Sequence, residues 1–138
     1  MYHLLLVALG GSLGAVARYT IDQLAITYLN SSLAGTFIVN ISGSFVLGLL
    51  LGITSANNIW PEGSKLFLSV GFLGSYTTFS TLSVATIHSA QKGDIYTAII
   101  NMGVSIVVGL SAALLGILLG KSMSVSYTHL TLPTNREV

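Results

Sequence analysis

Four long apolar stretches, separated by short polar segments, account for most of this chain. A helix needs about 20 predominantly apolar residues to cross the hydrocarbon core of a bilayer, and each stretch reaches that length. We therefore predict four transmembrane helices, at residues 4–26, 33–53, 65–89 and 95–119. Because the connecting loops are short, consecutive helices must run antiparallel, which places both chain termini on one side of the membrane. The pattern predicts an all-α integral membrane protein.

The polar C-terminal segment differs from the rest of the chain. Residues 1–121 form the predicted transmembrane domain, and residues 122–138 form a polar tail. The part from 125 to 138 has no helical period and too few apolar residues to span a bilayer. We expect this tail to be disordered, or to be an artefact that resembles a translated sequencing adaptor, and it has no part in the functional interpretation.

Composition agrees with the hydropathy pattern and excludes several classes of function. Hydrophobic residues make up 52% of the chain and charged residues 7%, with a mean hydropathy of +0.83, which is too apolar for a soluble domain of this size. The net charge of +1 gives no nucleic-acid footprint, and the lack of cysteine excludes disulfides and thiolate metal sites. No nucleophile–base pair or ligand cluster is present, so we do not expect an enzyme.

Small residues recur four positions apart in the predicted helices. The examples are Gly10 and Gly14, Gly11 and Ala15, Ser44 with Gly48 and Gly52, and Ala112 with Gly116 and Gly120. This spacing lets transmembrane backbones approach closely, so it predicts tight helix packing. Four short helices enclose little interior, so a polar pathway would form more readily between subunits, and we expect an oligomer.

Basic residues near the predicted helix ends are balanced across the membrane. Lys65 and Lys121 lie on the side of the termini, and Arg18 and Lys92 lie on the opposite side. With two basic residues on each side, the positive-inside rule favours neither orientation. An antiparallel homodimer of identical chains therefore agrees with the sequence as well as a single fixed orientation does.

The third predicted helix contains an uncharged polar stretch near its middle. Residues 74–81 carry five Ser and Thr hydroxyls and one Tyr, with a glycine at the start. The hydroxyls of Thr77 and Thr78 can bond to preceding carbonyl groups, which bends helices. An intact helix with internally bonded hydroxyls is the alternative, but this density of hydroxyls favours a break. Carbonyl oxygens at a break suit a hard cation such as Na⁺, whereas hydroxyl and N–H groups suit a small anion.

Three further residues are candidates for a polar pathway, and each has an alternative role. Asn40 either contributes its amide to the pathway or makes an interhelical hydrogen bond worth about 1 kcal/mol. Arg18 either draws anions into a vestibule or extends to the interface beside Asp22. Phe79 can turn the positive edge of its ring toward an anion, although lipid or core contact is the simpler interpretation.

Three specific segments lie in the first three predicted helices. They are GGSLGAVARY at 10–19, GTFIVNISGSF at 35–45 and GFLGSYTTFST at 71–81. In order and spacing they resemble the GGxxGAxxRY, GTxxVNxxGxF and GFxGxxTTFST motifs of the CrcB/Fluc fluoride channels. The resemblance covers residues 1–121, and the three motifs together on a chain of this size are far more specific than any one alone.

The resemblance implies a channel that passively exports F⁻ across the plasma or inner membrane and so lowers cytoplasmic fluoride. It also implies a dual-topology, antiparallel homodimer with two pathways along the subunit interface. Main-chain carbonyls of Gly74 and Thr77 in each subunit are then expected to hold a structural Na⁺ on the dimer axis. The residues expected along the fluoride pathway are Asn40, Phe79, Ser80 and Thr81, with Arg18 in the vestibule and with Asn101 and Ser105 as a further polar track.

One position departs from the family pattern. Family members commonly place a second Phe three residues after the first, and here that position is Leu82. Leucine has no ring quadrupole, so the second aromatic position of the pathway is not filled in this chain.

Two other classes of membrane protein are alternatives. A proton-coupled exporter of the small multidrug-resistance type needs a carboxylate in the middle of the membrane, and none of Asp22, Glu62, Asp94 and Glu137 lies at the middle of a predicted helix. A structural subunit of a membrane assembly would not need Asn40 and a hydroxyl cluster at one depth. Fluoride efflux from liposomes distinguishes all three classes.

Overall fold

The chain folds into helices throughout the part that can be described. The computed structural model describes residues 1–56 and 60–130, and within these ranges all regular secondary structure is helical. The prediction of an all-α fold is confirmed. Residues 131–138 of the expected tail lie outside the described residues.

Five helices, numbered here in chain order, follow the predicted spans. Helix α1 is Tyr2–Leu29, α2 is Ser32–Ala56, α4 is Phe79–Gln91 and α5 is Ile95–Leu130. Helix α3 covers 62–76 in three consecutive pieces, Glu62–Lys65, Leu66–Leu73 and Gly74–Tyr76. Three segments, Tyr2–Leu29, Ser32–Ser55 and Ile95–Ser124, are long and apolar enough to cross a membrane. Helices α3 and α4 together occupy the third predicted span.

The turns between helices follow from local chemistry. Helix α1 is capped after Leu29 by Asn30, which has left-handed backbone angles (φ 49°, ψ 34°) that asparagine adopts more readily than most residues. Ser31 then caps α2, because its hydroxyl accepts the N–H of Ala34 at 3.2 Å. The turn before α5 uses Gly93 at φ 87°, after which the carboxylate of Asp94 accepts the N–H of Thr97 at 3.0 Å. This bond holds the pKa of Asp94 below its ordinary value.

Helix α5 is longer than the sequence predicts. Its predicted end lies at residue 119, but the helix continues to Leu130. Packing of α5 on α2 continues beyond the predicted end, as far as Ser124. The hydroxyl of Ser124 donates to the carbonyl of Ile53 at 2.9 Å, and Ser124 is buried.

Helices α2 and α5 pack with their backbones in contact and run parallel. A β-carbon added at Gly48 would collide with the carbonyl oxygen of Ala113, and one at Gly116 would collide with that of Phe45. Gly52 and Gly120 make the same kind of contact one turn further along. The predicted close packing through small residues is therefore confirmed for this pair.

A second pair, α1 and α3, also packs through glycine. Gly10 and Gly14 of α1 lie against the backbone at Phe67 and Phe72. The small core beside this contact contains Val39, Leu73 and Tyr76, so it joins α2 to the C-terminal end of α3. This core lies directly before the point where the third span is interrupted.

Candidate functional site

The third span is broken at Thr77 and Thr78. These residues have extended backbone angles (φ −80°, ψ 154° and φ −152°, ψ 116°), so α3 ends at Tyr76 and α4 begins at Phe79. The predicted break is confirmed. Gly74 itself is helical (φ −63°, ψ −31°), so the break follows it by three residues. Just before the break the helix is wound as a π-helix, in which the N–H of Gly74 bonds to the carbonyl of Ser69.

Asn40 of α2 holds the broken backbone through both ends of its amide. Its Nδ2 donates to the carbonyl of Thr78 at 3.0 Å, and its Oδ1 accepts the N–H of Thr78 at 2.8 Å. One side chain therefore satisfies both backbone groups of a residue that has left the helix, as a membrane interior requires. The interhelical role predicted as one alternative for Asn40 is confirmed, and one N–H of the amide is still available.

Two carbonyl groups lose their helical partners because of this arrangement. In a continuous helix the N–H of residue i bonds to the carbonyl of residue i−4. The N–H of Thr78 would then donate to the carbonyl of Gly74, and the N–H of Thr81 would donate to the carbonyl of Thr77. Here the N–H of Thr78 goes to Asn40, and the N–H of Thr81 goes to the hydroxyl of Thr78 at 3.2 Å. Within the described chain the carbonyls of Gly74 and Thr77 accept no hydrogen bond. Neutral main-chain oxygens of this kind fit a hard monovalent cation such as Na⁺.

The two threonine hydroxyls at the break have different roles. The hydroxyl of Thr77 donates to the carbonyl of Leu73 at 3.0 Å, which is the predicted bond to a preceding carbonyl. That prediction is wrong for Thr78, whose hydroxyl instead caps α4. The capping hydroxyl of Thr78 also lies 3.1 Å from the hydroxyls of both Ser80 and Thr81. These hydroxyls surround the positive end of the α4 dipole, where anions are favoured.

Helix α2 positions the last residues before the break. The hydroxyl of Tyr76 lies 2.9 Å from that of Ser42, and the ring of Tyr76 stacks on Phe72 with 5.8 Å between centroids. Gly43 lies directly against the methyl group of Thr77, where any side chain would collide. Together with Asn40, these contacts tie residues 76–78 to α2.

A groove of about 340 Å³ lies beside the break, between α2, α4 and α5. Asn40 and Ser105 contribute polar groups to its wall, and the Oγ of Ser105 is buried without a hydrogen-bond partner in the described chain. Phe79 borders the groove with 71% of its surface exposed, whereas Leu82 is only 5% exposed and closes the wall. The remaining lining residues are Ser44, Thr77, Thr78, Ile106, Gly109, Leu110 and Ala113.

The other predicted site residues lie elsewhere. Asn101 lines a separate groove with Phe37 and Tyr96, and its Nδ2 is buried without a partner in the described chain. Arg18 is half-buried on α1, which does not border the groove beside the break. Asp22, one turn beyond Arg18, is packed against Gly35 in the second half of α1. The groove therefore brings together Asn40, Phe79 and Ser105, but not Arg18 or Asn101.

Sequence reasoning missed two residues that contribute to the site. The sequence pattern presents Ser44 only as a packing residue, yet Ser44 lines the groove one helical turn beyond Asn40. Its four-residue spacing from Asn40 is the signal that could have identified it. Ser42 is not among the predicted site residues, and no pattern in the sequence alone pairs it with Tyr76.

Comparisons with known proteins agree with this architecture. The family model described as CrcB-like protein, Camphor Resistance (CrcB) matches residues 5–117. A protein of Acidobacterium capsulatum named fluoride-specific ion channel FluC is 40% identical over 83% of this chain and 92% of its own length. Proteins of the same name from Magnetococcus marinus (40% identical, 83% of this chain, 94% of the relative) and Shewanella sp. strain W3-18-1 (42%, 91% and 98%) are similarly close. The three-motif resemblance is thus confirmed, and the chain belongs to the CrcB-like protein family.

Proposed function

We propose that this protein is a fluoride-specific ion channel that lets F⁻ leave the cytoplasm passively, and that it is not an enzyme. The observation that carries the proposal is the groove beside the broken third span, whose wall combines the Asn40 amide, the Ser105 hydroxyl and the Phe79 ring. The relatives named fluoride-specific ion channels support it. Neither a proton-coupled exporter nor a structural assembly subunit requires a break that is held open by a dedicated side chain.

The chemistry of the groove suits a small, strongly hydrated anion. Fluoride must exchange its hydration shell for donors supplied by the protein, and a conducting site must also release the ion. The groove offers an amide, a hydroxyl and a ring edge, all of them neutral, so the ion is stabilised without being held by a fixed positive charge. The hydroxyls of Ser80 and Thr81 at the start of α4 add donors beside the groove.

The direction of transport follows from simple electrostatics. Fluoride enters acidified cells as neutral HF, which dissociates in the cytoplasm. A negative cytoplasmic potential then drives the anion outward with about 2.3 kcal/mol per charge per 100 mV. A passive pathway in the cytoplasmic membrane is therefore sufficient to lower cytoplasmic fluoride.

The same proposal includes an antiparallel dimer. Gly74, Phe79 and Ser80 are exposed on the single chain, although they lie at the middle of the third span. Free carbonyl and hydroxyl groups cannot face lipid at that depth without a large cost. A second, inverted copy would cover them, and the balance of Arg18 and Lys92 against Lys65 and Lys121 permits both orientations.

A bound Na⁺ fits the carbonyl end of α3. The carbonyls of Gly74 and Thr77 would hold it, since both have lost their helical donors to Asn40 and to the Thr78 hydroxyl. When bound, the ion would supply a positive charge near the anion pathway. The protein contributes by leaving these two carbonyl oxygens without a hydrogen-bond donor.

Fluoride efflux from liposomes tests the proposed function. Purified protein in liposomes should release fluoride under a potassium gradient and should leave chloride inside. Phe79→Ala should lower fluoride efflux at least about tenfold, the loss of about 1.4 kcal/mol of stabilisation. Val84→Ala is a matched control, since Val84 lies on the same helix and is 68% exposed.

Two results would contradict the proposal. Equal efflux of chloride and fluoride from the wild-type protein would contradict the proposed selectivity, and no efflux at all would contradict the proposed channel function. If Phe79→Ala and Val84→Ala both conduct like the wild type, the groove is not the pathway.

A further inference from the structure

Ser44 lies one helical turn beyond Asn40 on the wall of the same groove. Four residues along an α-helix advance it by about 6 Å. Opposite Ser44 is Gly109 of α5, where an added β-carbon would lie 3.9 Å from the Oγ of Ser44. One turn further, Gly48 touches the backbone of α5 at Ala113, which closes the space between the two helices. Ser44 therefore carries the last polar side chain of α2 before α2 and α5 meet.

The hydroxyl of Ser44 differs from those hydroxyls that bond back to their own helix. Ten Ser and Thr hydroxyls donate to a carbonyl three or four residues earlier in their own helix: Ser12, Thr20, Thr27, Ser42, Thr54, Ser55, Ser83, Thr86, Ser89 and Ser111. Such a bond uses the only proton of the hydroxyl. Within the described chain Ser44 makes no hydrogen bond, so its proton remains available to a ligand in the groove.

Ser105 has the same property and faces the same groove. Its Oγ is buried and unpartnered within the described residues, and the residue is only 6% exposed. Because α2 and α5 run parallel, Ser105 lies level with Asn40, while Ser44 lies level with Gly109. The free donors thus form two successive levels, with Asn40 and Ser105 at the break and Ser44 one turn beyond them.

We propose that the hydroxyl of Ser44 contacts the permeating anion directly after it passes the break. The ion exchanges the donors of Asn40 and Ser105 for that of Ser44 and so remains coordinated over another turn of the helix. This inference rests on the proposed channel function and adds to it a residue that binds the ion. No charged group is needed at this level, because a neutral donor both stabilises the anion and releases it.

Removal of the hydroxyl tests the inference. Ser44→Ala should lower fluoride efflux from liposomes roughly tenfold or more, as expected for the loss of one hydrogen bond to a charged group. Ser111→Ala is the matched control, since Ser111 lies in α5, is exposed, and bonds to the carbonyl of Val107 at 2.8 Å. This control should conduct within about twofold of the wild type, and both variants should keep the wild-type melting temperature.

A second measurement does not depend on the size of that effect. The chain has no cysteine, so Ser44→Cys and Ser111→Cys each introduce a single thiol. A thiol reacts as the thiolate, which needs water or an anion pathway around it. A small methanethiosulfonate reagent should therefore modify the thiol at 44 and block efflux, and fluoride should slow the modification. Reagent added to the Ser111→Cys variant should leave efflux unchanged.

The outcomes separate this inference from the function on which it rests. A conducting wild type with an equally active Ser44→Ala variant, or with an unreactive thiol at 44, would overturn the role of Ser44 and leave the channel intact. A wild type that releases no fluoride would overturn the channel itself.

Discussion

The double hydrogen bond between Asn40 and Thr78 predicts a large and specific loss of stability in the variant Asn40→Ala. The substitution removes the acceptor of the Thr78 N–H and the donor to the Thr78 carbonyl, at 2.8 and 3.0 Å. Thr78 is only 7% exposed, so water does not readily replace either bond. The variant therefore leaves two backbone groups unsatisfied at the centre of the third span.

The magnitude follows from the two lost bonds. A buried backbone group without a partner costs about 1–3 kcal/mol, although single hydrogen bonds between membrane helices average only about 0.6 kcal/mol. For two groups we expect a loss of about 2–4 kcal/mol in the free energy of unfolding. Part of the cost can be relieved if the N–H of Thr78 returns to the carbonyl of Gly74, which would rejoin α3 and α4. The first response leaves the break without its support and the second removes the break, so fluoride efflux should be lost as well.

Unfolding in mixed micelles measures this loss. Helicity by circular dichroism, together with the fluorescence of the single tryptophan, Trp60, would give the free energy of unfolding as detergent composition is varied. Asn101→Ala is the matched control, because Asn101 is also an amide within a helix but its Nδ2 has no partner in the described chain. We expect the control to lose less than about 1 kcal/mol. Equal losses in the two variants, or no loss in Asn40→Ala, would refute the argument that Asn40 holds the break.

Two further predictions concern packing and pH. Gly48→Val should lower the free energy of unfolding by about 3 kcal/mol or more, because its β-carbon meets the backbone of Ala113. Gly103→Val is the control and should be tolerated, because no atom lies within 4 Å of the added carbon. Thermal unfolding in detergent compares the two variants, and similar losses would contradict the packing of α2 on α5. Asp94→Ala should lower the melting temperature at neutral pH, because the folded state depresses the pKa of Asp94 and its contribution is present above the ordinary value of 3.8. That difference from the wild type should shrink as the pH falls well below 3.8, and a difference that does not change with pH would exclude the charged carboxylate as its cause.

The elements and the break could be predicted because they depend on local composition. Runs of apolar residues identified the helices, and the hydroxyls of 74–81 identified the interrupted span. The exact break could not be predicted from the sequence, because Gly74 and Thr77 are both plausible positions. It is decided by Asn40, which lies 38 residues away from Thr78 in the chain.

The residues that line the groove were harder to predict for a similar reason. Whether a serine faces its own helix or a neighbouring space depends on which helix packs beside it, and Ser42 and Ser44 differ by only two positions. Ser42 bonds within α2 and to Tyr76, while Ser44 faces α5. The length of α5 was also missed, since the hydrogen bond from Ser124 to Ile53 joins residues 71 positions apart.

The two hydrogen bonds between Asn40 and Thr78 have a consequence for how copies of the protein would assemble. Asn40 and Thr78 belong to one chain, so the contacts that hold the kink do not depend on a second copy. Association in the proposed dimer would then not have to bend a helix, because the cost of ordering that segment would be met during folding of the single chain. In the proposed antiparallel dimer, an inverted neighbour would only have to cover a surface that is already shaped. The lifetime of the folded monomer in the bilayer would then set how quickly two copies need to associate.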